Sequence, residues 1–192
     1  MADKEGRTLF LIAVLPDRQV SSEVRMMKER LLDTHGLKAA LRSPAHITLV
    51  PPFTCTDAQA DAVADTLWKS LHLHGTVRFS IDGTGHFEDR VIYLNVIRSE
   101  ALQALNDAVN DALRHSHAWT LRKEPQPFVP HITLANRDLR PERFGAVWAD
   151  VRGISYQRTC AVGAIHLLRH DGARWKVWKE IPLGPVTSAS AT

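Results

Sequence analysis

Two cysteines, Cys55 and Cys160, are all the chain contains, and no Cys-x-x-Cys occurs. A disulfide framework or a structural zinc site finds no support there, and a reducing, cytoplasmic setting fits. No apolar run approaches the roughly 20 residues of a membrane-spanning helix. The stretch Leu9 to Leu15 has the length of a buried strand and stops at Pro16. Neither sign of charge dominates: 24 Lys and Arg against 21 Asp and Glu leave a net +3, compatible with a phosphate-bearing partner but too little to point to nucleic acid by itself. Low-complexity linkers are missing too. What remains is an ordinary globular composition over 192 residues, enough for one core or for two small lobes that share one.

Periodicity supplies the elements. TLFLIAVLP reads as a strand, and the segment after it as a helix capped by Asp17, striped by Val20, Val24, Met27 and Leu31, and stopped by Gly36. HITLV is a strand closed by Pro51 and Pro52, followed by a helix from about Thr56 to Leu71 with Ala60, Val63, Ala64 and Leu67 on one face. TVRFSIDGTGHF and RVIYLNVI alternate as a hairpin turning at EDR. Ser99 caps a third helix, buried through Leu102, Leu105, Val109, Ala112 and Leu113, that is expected to reach the His115 to Trp119 region. LRKEPQPFVP is an extended loop, RPERFGAVWAD a short helix or turn, and the remainder two or three strands with a hairpin turn at His170-Asp171-Gly172. The resulting class is α+β. Residues 1–185 are read as one domain and 186–192 as a disordered polar tail.

One phrase is written twice. Pro44 to Phe53 contains His46-Ile47-Thr48-Leu49, and Pro130 to Arg137 contains His131-Ile132-Thr133-Leu134. Two core strands have reason to share apolar positions but none to share a histidine and a threonine. On a strand the side chains alternate, so each copy shows His and Thr on one face and Ile and Leu on the other. If both strands front one cleft, it presents two imidazoles and two hydroxyls, a set suited to an anion. Between two imidazoles a phosphate diester can be cleaved without a metal: one takes a proton from water, the other gives one to the leaving oxygen. Free imidazole titrates near ~6.5, so both forms are accessible around neutrality. The threonine hydroxyls would serve the non-bridging oxygens, where charge gathers.

In these two motifs the chain resembles the 2H phosphoesterase superfamily, and within it the 2′-5′ RNA ligase or RNA cyclic phosphodiesterase branch. The resemblance implies a bilobal α+β fold, with two antiparallel-sheet lobes and outer helices related by a pseudo-two-fold around a central cleft. It implies hydrolysis of 2′,3′-cyclic phosphates on RNA ends or nucleotides, with reverse 2′-5′ ligation under suitable conditions, by His46 and His131 as acid and base and Thr48 and Thr133 as phosphate donors. No cofactor or metal, no obligate protein partner and a monomer are implied as well. Relatives carry an arginine shortly after the second motif; here Arg137 stands one place later, with Asn136 in the closer position. The alternatives are a non-catalytic nucleotide- or RNA-binding module, and the same chemistry on another small cyclic phosphate.

Arg42 and Arg137 lead a group of phosphate-contact candidates that also includes Lys38, Arg122, Lys123, Arg140 and Arg143. Phe53, Tyr93 and Phe128 flank the motifs as surfaces on which a base could stack. His72 with His74, and His115 with His117, lack the carboxylate spacing of a metal motif, and a helix C-terminus accounts for the second pair. The five tryptophans are read as core or edge packing.

Overall fold

A computed structural model describes residues 6–114 and 127–184. Strand β1 (Thr8–Val14) leads to helix α1 (Arg18–His35), which begins where Asp17 Oδ1 accepts the Val20 N–H at 2.9 Å. Gly36 ends α1 at φ +69°, a left-handed value that glycine adopts without strain, and the Leu37 N–H then closes back on the Leu31 carbonyl. The buried stripe of this helix is Val20, Val24, Lys28 and Leu31, so a lysine takes the place expected of Met27, which is only partly buried. A 3-10 turn, Ala39–Arg42, precedes β2 (Ile47–Cys55), and Thr56 forms a capping box with Gln59 at the head of α2 (Asp57–Leu71).

The hairpin β3 (Val77–Phe87) and β4 (Val91–Ile97) turns at Glu88 to Arg90. Ser99 Oγ accepts the Leu102 N–H as α3 (Glu100–Arg114) begins. The expected stretch beyond Arg114, the cations Arg122 and Lys123, His115 and His117, and the tail all lie outside the described residues. Strand β5 (His131–Ala135) carries the second motif, and the segment read as a short helix or turn is a three-turn helix, α4 (Pro141–Val151), with proline at its start. Strands β6 (Gln157–Val162), β7 (Ala164–His170) and β8 (Trp175–Pro182) follow, the last two joined by a turn in which Asp171 Oδ1 accepts the Ala173 and Arg174 N–H groups.

Among the described residues all pairings are antiparallel, in two four-stranded sheets of order β2-β1-β7-β8 and β5-β4-β3-β6. The fold is therefore α+β with two antiparallel sheets, as expected. Each motif strand is an edge strand, and each is reached from its sheet neighbour through a helix: β1-α1-β2 in one sheet, β4-α3-β5 in the other. The same arrangement is thus built twice, with the motifs in matching places.

The sheets share a continuous core. Phe10, Ile12 and Ile47 from one and Ile92, Leu94 and Ile132 from the other belong to a single apolar cluster. Polar bonds cross as well: Asn106 on α3 donates to the Leu49 carbonyl of β2, while Glu23 on α1 accepts from the Tyr156 hydroxyl and from Arg158 on β6. Among the described residues no helix is long and apolar enough to cross a membrane.

Candidate active site

Both motifs keep the alternation that their sequences imply. Ile47, Leu49, Ile132 and Leu134 are buried in the core, and His46, Thr48, His131 and Thr133 are half-buried on the opposite faces. His46 sits one residue ahead of β2. Its Nδ1–H donates to the Pro44 carbonyl at 2.9 Å, and the Nδ1–H of His131 donates to the Val129 carbonyl at 2.8 Å. The same bond, to the residue two before, is made twice. A carbonyl can only accept, so Nδ1 carries the hydrogen on both rings and Nε2 is left as the nitrogen free to take or hold a proton.

A cavity of about 350 Å³ opens at this point, the size range of small-ligand sites. His46 and Thr48 line it from one sheet and Thr133 from the other, with Lys38 just ahead of the 3-10 turn, Arg42 at its end and Arg137 after β5. His131 does not line the cavity itself. It stands beside it, on the Thr133 face of β5, near enough to His46 for its charge to be felt there. Burial lowers the pKa of both rings against the opposing pull of the carbonyl bonds; with the charges of Lys28 and His131 added, that of His46 falls to about 4. In the free protein both imidazoles are therefore neutral at pH 7.

Tyr93 and Phe53 part company from what was expected of them. Phe53 is 8% exposed and stacks on Phe10 within the core. Its neighbour explains this: Phe53 is the direct partner of Phe10 across the β1–β2 ladder and turns inward with it, so no base can reach it. Tyr93 lies opposite Thr133 in the sheet, and its ring packs on Phe87 and His131, with centroids 4.5 and 5.2 Å away, without lining the cavity. On its other side it faces Gly85, where a Cβ would come within 2.6 Å of the ring. The glycine makes room for Tyr93, and Tyr93 with Phe87 walls the second histidine.

Several lining residues were not foreseen. Trp175 and His170 pair across the β7–β8 hairpin, their rings edge to face at 5.1 Å, and both line the cavity. The hairpin signal was visible, but that this hairpin reaches the site follows only from sheet order. Asp138 Oδ2 accepts the backbone N–H groups of Lys38 and Ala39 at 2.7 and 2.8 Å, binding the 3-10 turn of one lobe to the β5–α4 loop of the other. No local pattern could announce a contact across a hundred residues. Asn136 lines the cavity too, and its Oδ1 is buried with no hydrogen-bond partner among the described residues. Arg140 and Arg143 do not line the cavity, and Arg143 donates to the His35 carbonyl. Among the described residues no three His, Cys, Asp or Glu side chains gather as metal ligands, and His72 stacks on Trp68.

A family model described as the 2′-5′ RNA ligase superfamily matches residues 16–174. A protein of Bacillus pumilus (strain SAFR-032), named only by class as a phosphoesterase, is 30% identical over 180 residues, spanning 90% of this chain and 96% of that protein. Of solved structures, TT0787 of Thermus thermophilus superposes with a TM-score of 0.65 at 17% identity, covering 91% of this chain and 97% of its own. E. coli LigT complexed with 3′-AMP gives 0.62 at 18% identity, covering 94% and 99%. At such identities the two structures bear on the fold alone.

Proposed function

Because the chain belongs to the 2′-5′ RNA ligase superfamily, we propose that it is a phosphodiesterase that opens 2′,3′-cyclic phosphates on RNA ends or nucleotides by proton exchange between His46 and His131. The observation that carries this reading is the twinned Nδ1–carbonyl bond, which leaves Nε2 as the reactive nitrogen of both rings, with His46, Thr48 and Thr133 lining the cavity and His131 beside it on the Thr133 face of β5. One imidazole takes a proton from water as its oxygen attacks phosphorus. The bond from phosphorus to one ribose oxygen breaks, and the other imidazolium protonates that oxygen, giving a monoester. The incoming phosphate anion makes that imidazolium accessible, since a negative charge beside a buried imidazole favours its protonated form.

The hydroxyls of Thr48 and Thr133, with Lys38, Arg42 and Arg137, meet the charge that builds on the non-bridging oxygens. Asn136 Oδ1 is an acceptor for a ribose hydroxyl, and the half-buried ring of Trp175 is the aromatic surface for a base. A cavity of about 350 Å³ suits a single terminal nucleotide, and E. coli LigT has been crystallised with 3′-AMP and with phosphate.

The test compares a 2′,3′-cyclic mononucleotide with an oligoribonucleotide ending in the same group, in EDTA, for the native protein, His46→Ala and His131→Ala. Turnover in the native protein, reduced on the order of 10² to 10⁴ by either substitution, is the expected result. The faster substrate indicates whether the site prefers RNA ends or small molecules. Tight binding without turnover would make the cleft a recognition site instead.

A further inference from the structure

One buried charge has no part in the chemistry above. Lys28, on the buried stripe of α1, is 3% exposed. Among the described residues it has no carboxylate partner, and its only hydrogen bond there goes from Nζ to the Ser43 carbonyl, 3.2 Å away. An ammonium sealed from water without a counter-ion is costly, and a methionine or leucine would fill the stripe at no such cost. The bond it does make falls on the loop of the first motif: Ser43 precedes Pro44, whose carbonyl holds the His46 ring.

We propose that Lys28 is a positioning residue of this site, fixing through Ser43 the loop that presents His46 and setting a positive charge beneath that imidazole. Other charged groups surround His46: Lys38 just ahead of the 3-10 turn and Arg42 at its end, Arg137 and Asp138 after β5, and His131 on β5 itself, with His170 on the far wall. Asp138 is the one carboxylate lining the cavity among the described residues, and its Oδ2 is engaged by two backbone N–H groups. Burial lowers both rings and each disfavours a proton on the other, but the charge of Lys28 acts on His46 in addition. Lys28 therefore biases the pair: a single proton shared between the two rings resides on His131, and His46 remains the acceptor. Lys28 itself, lowered by burial to about 8, still carries its charge at neutral pH.

This assignment deepens the two-histidine reading and is tested without relying on turnover. The ring protons of His46 and His131 are titrated by NMR in the substrate-free protein and in Lys28→Gln, Lys28→Met and Lys28→Arg. Gln keeps a donor for the Ser43 carbonyl and removes the charge, Met removes both, and Arg keeps both. In the native protein His46 protonates below His131. Lys28→Gln and Lys28→Met raise the His46 midpoint by about one pH unit, His131 moves less, and Lys28→Arg restores the native value. A His46 midpoint at or above that of His131 in the native protein, or one unmoved in folded Lys28→Gln, would overturn the proposal. A loss of thermal stability with no change of midpoint would do the same, reducing Lys28 to a packing residue. Absence of turnover on every cyclic phosphate would count against the phosphodiesterase reading and leave the titration result standing.

Discussion

Burial holds His46 well below the ordinary imidazole range, at about 4 against 6.5, and this has a consequence for stability as well as for proton transfer. Between those two values the unfolded chain binds a proton at this position that the native state refuses. Native stability is therefore complete above about pH 6.5 and falls as the pH drops toward 4, below which no more is lost from this group. The loss reaches about 3 kcal/mol for a shift of this size. Replacing His46 with Asn should flatten denaturant-derived stability between pH 6.5 and 4; an unchanged slope would show that other groups govern acid unfolding. At this scale the sequence was most legible where chemistry and parity agree. Within each motif His and Thr fall on one face by counting alone, but the count breaks before Phe53, where shifts in the β1–β2 register leave Val50 buried and Pro51 exposed. Lys28 could not be read this way, because a lysine at a stripe position ordinarily extends to water, and only the packing of the 3-10 turn over α1 seals it in.

Between residue and fold stand the elements that hold the site's cations. The 3-10 turn that ends in Arg42 is four residues long, and Lys38, at its cap position, gives it no side-chain cap. Its exposed N–H groups are met instead by Asp138 from the other lobe. Two charge-assisted bonds at the head of a helical turn act as an N-cap delivered from outside the element. Asp138→Ala should cost about 1–2 kcal/mol of stability and raise KM for the cyclic phosphate several-fold with a smaller change in kcat, since it loosens the phosphate-binding wall and spares the imidazoles. Asp138→Asn, which keeps an acceptor oxygen, should recover most of the KM. Equal losses in KM and kcat for Asp138→Ala would place the residue in the chemistry instead. Helices α1 to α3 and the hairpin β3–β4 were legible from caps and alternation. α4 read only weakly because Gly145 interrupts its pattern and its start rests on proline rather than on a side-chain cap. What joins these elements at the site, the Asp138 clamp and the approach of Trp175, arises from contacts distant in sequence that leave no periodic trace.

At the scale of the whole molecule the design problem is that both motifs lie on edge strands, whose unpaired backbone groups would otherwise face water or another chain. For β2 the answer comes from the opposite lobe. Asn106 on α3, 7% exposed, donates to the Leu49 carbonyl at 3.1 Å, and Asn110 braces it from one turn later. Leu49 is next to Thr48, so a side chain belonging to the β4-α3-β5 half sets the strand that carries the first motif. Asn106→Ala leaves a buried carbonyl without a partner, at about 1–3 kcal/mol, and because the bond links the two halves the loss should appear as a lower Tm for one cooperative transition, not as early melting of one lobe. Turnover should fall with it, by loss of alignment between Thr48 and Thr133. Two resolved transitions in Asn106→Ala, with unaltered turnover below the first, would mean that each half folds and positions its own motif independently. The single apolar cluster spanning both sheets argues for the first outcome: neither half can open without exposing side chains buried by the other, so the pairing of two histidine-bearing edges is as stable as the core beneath them.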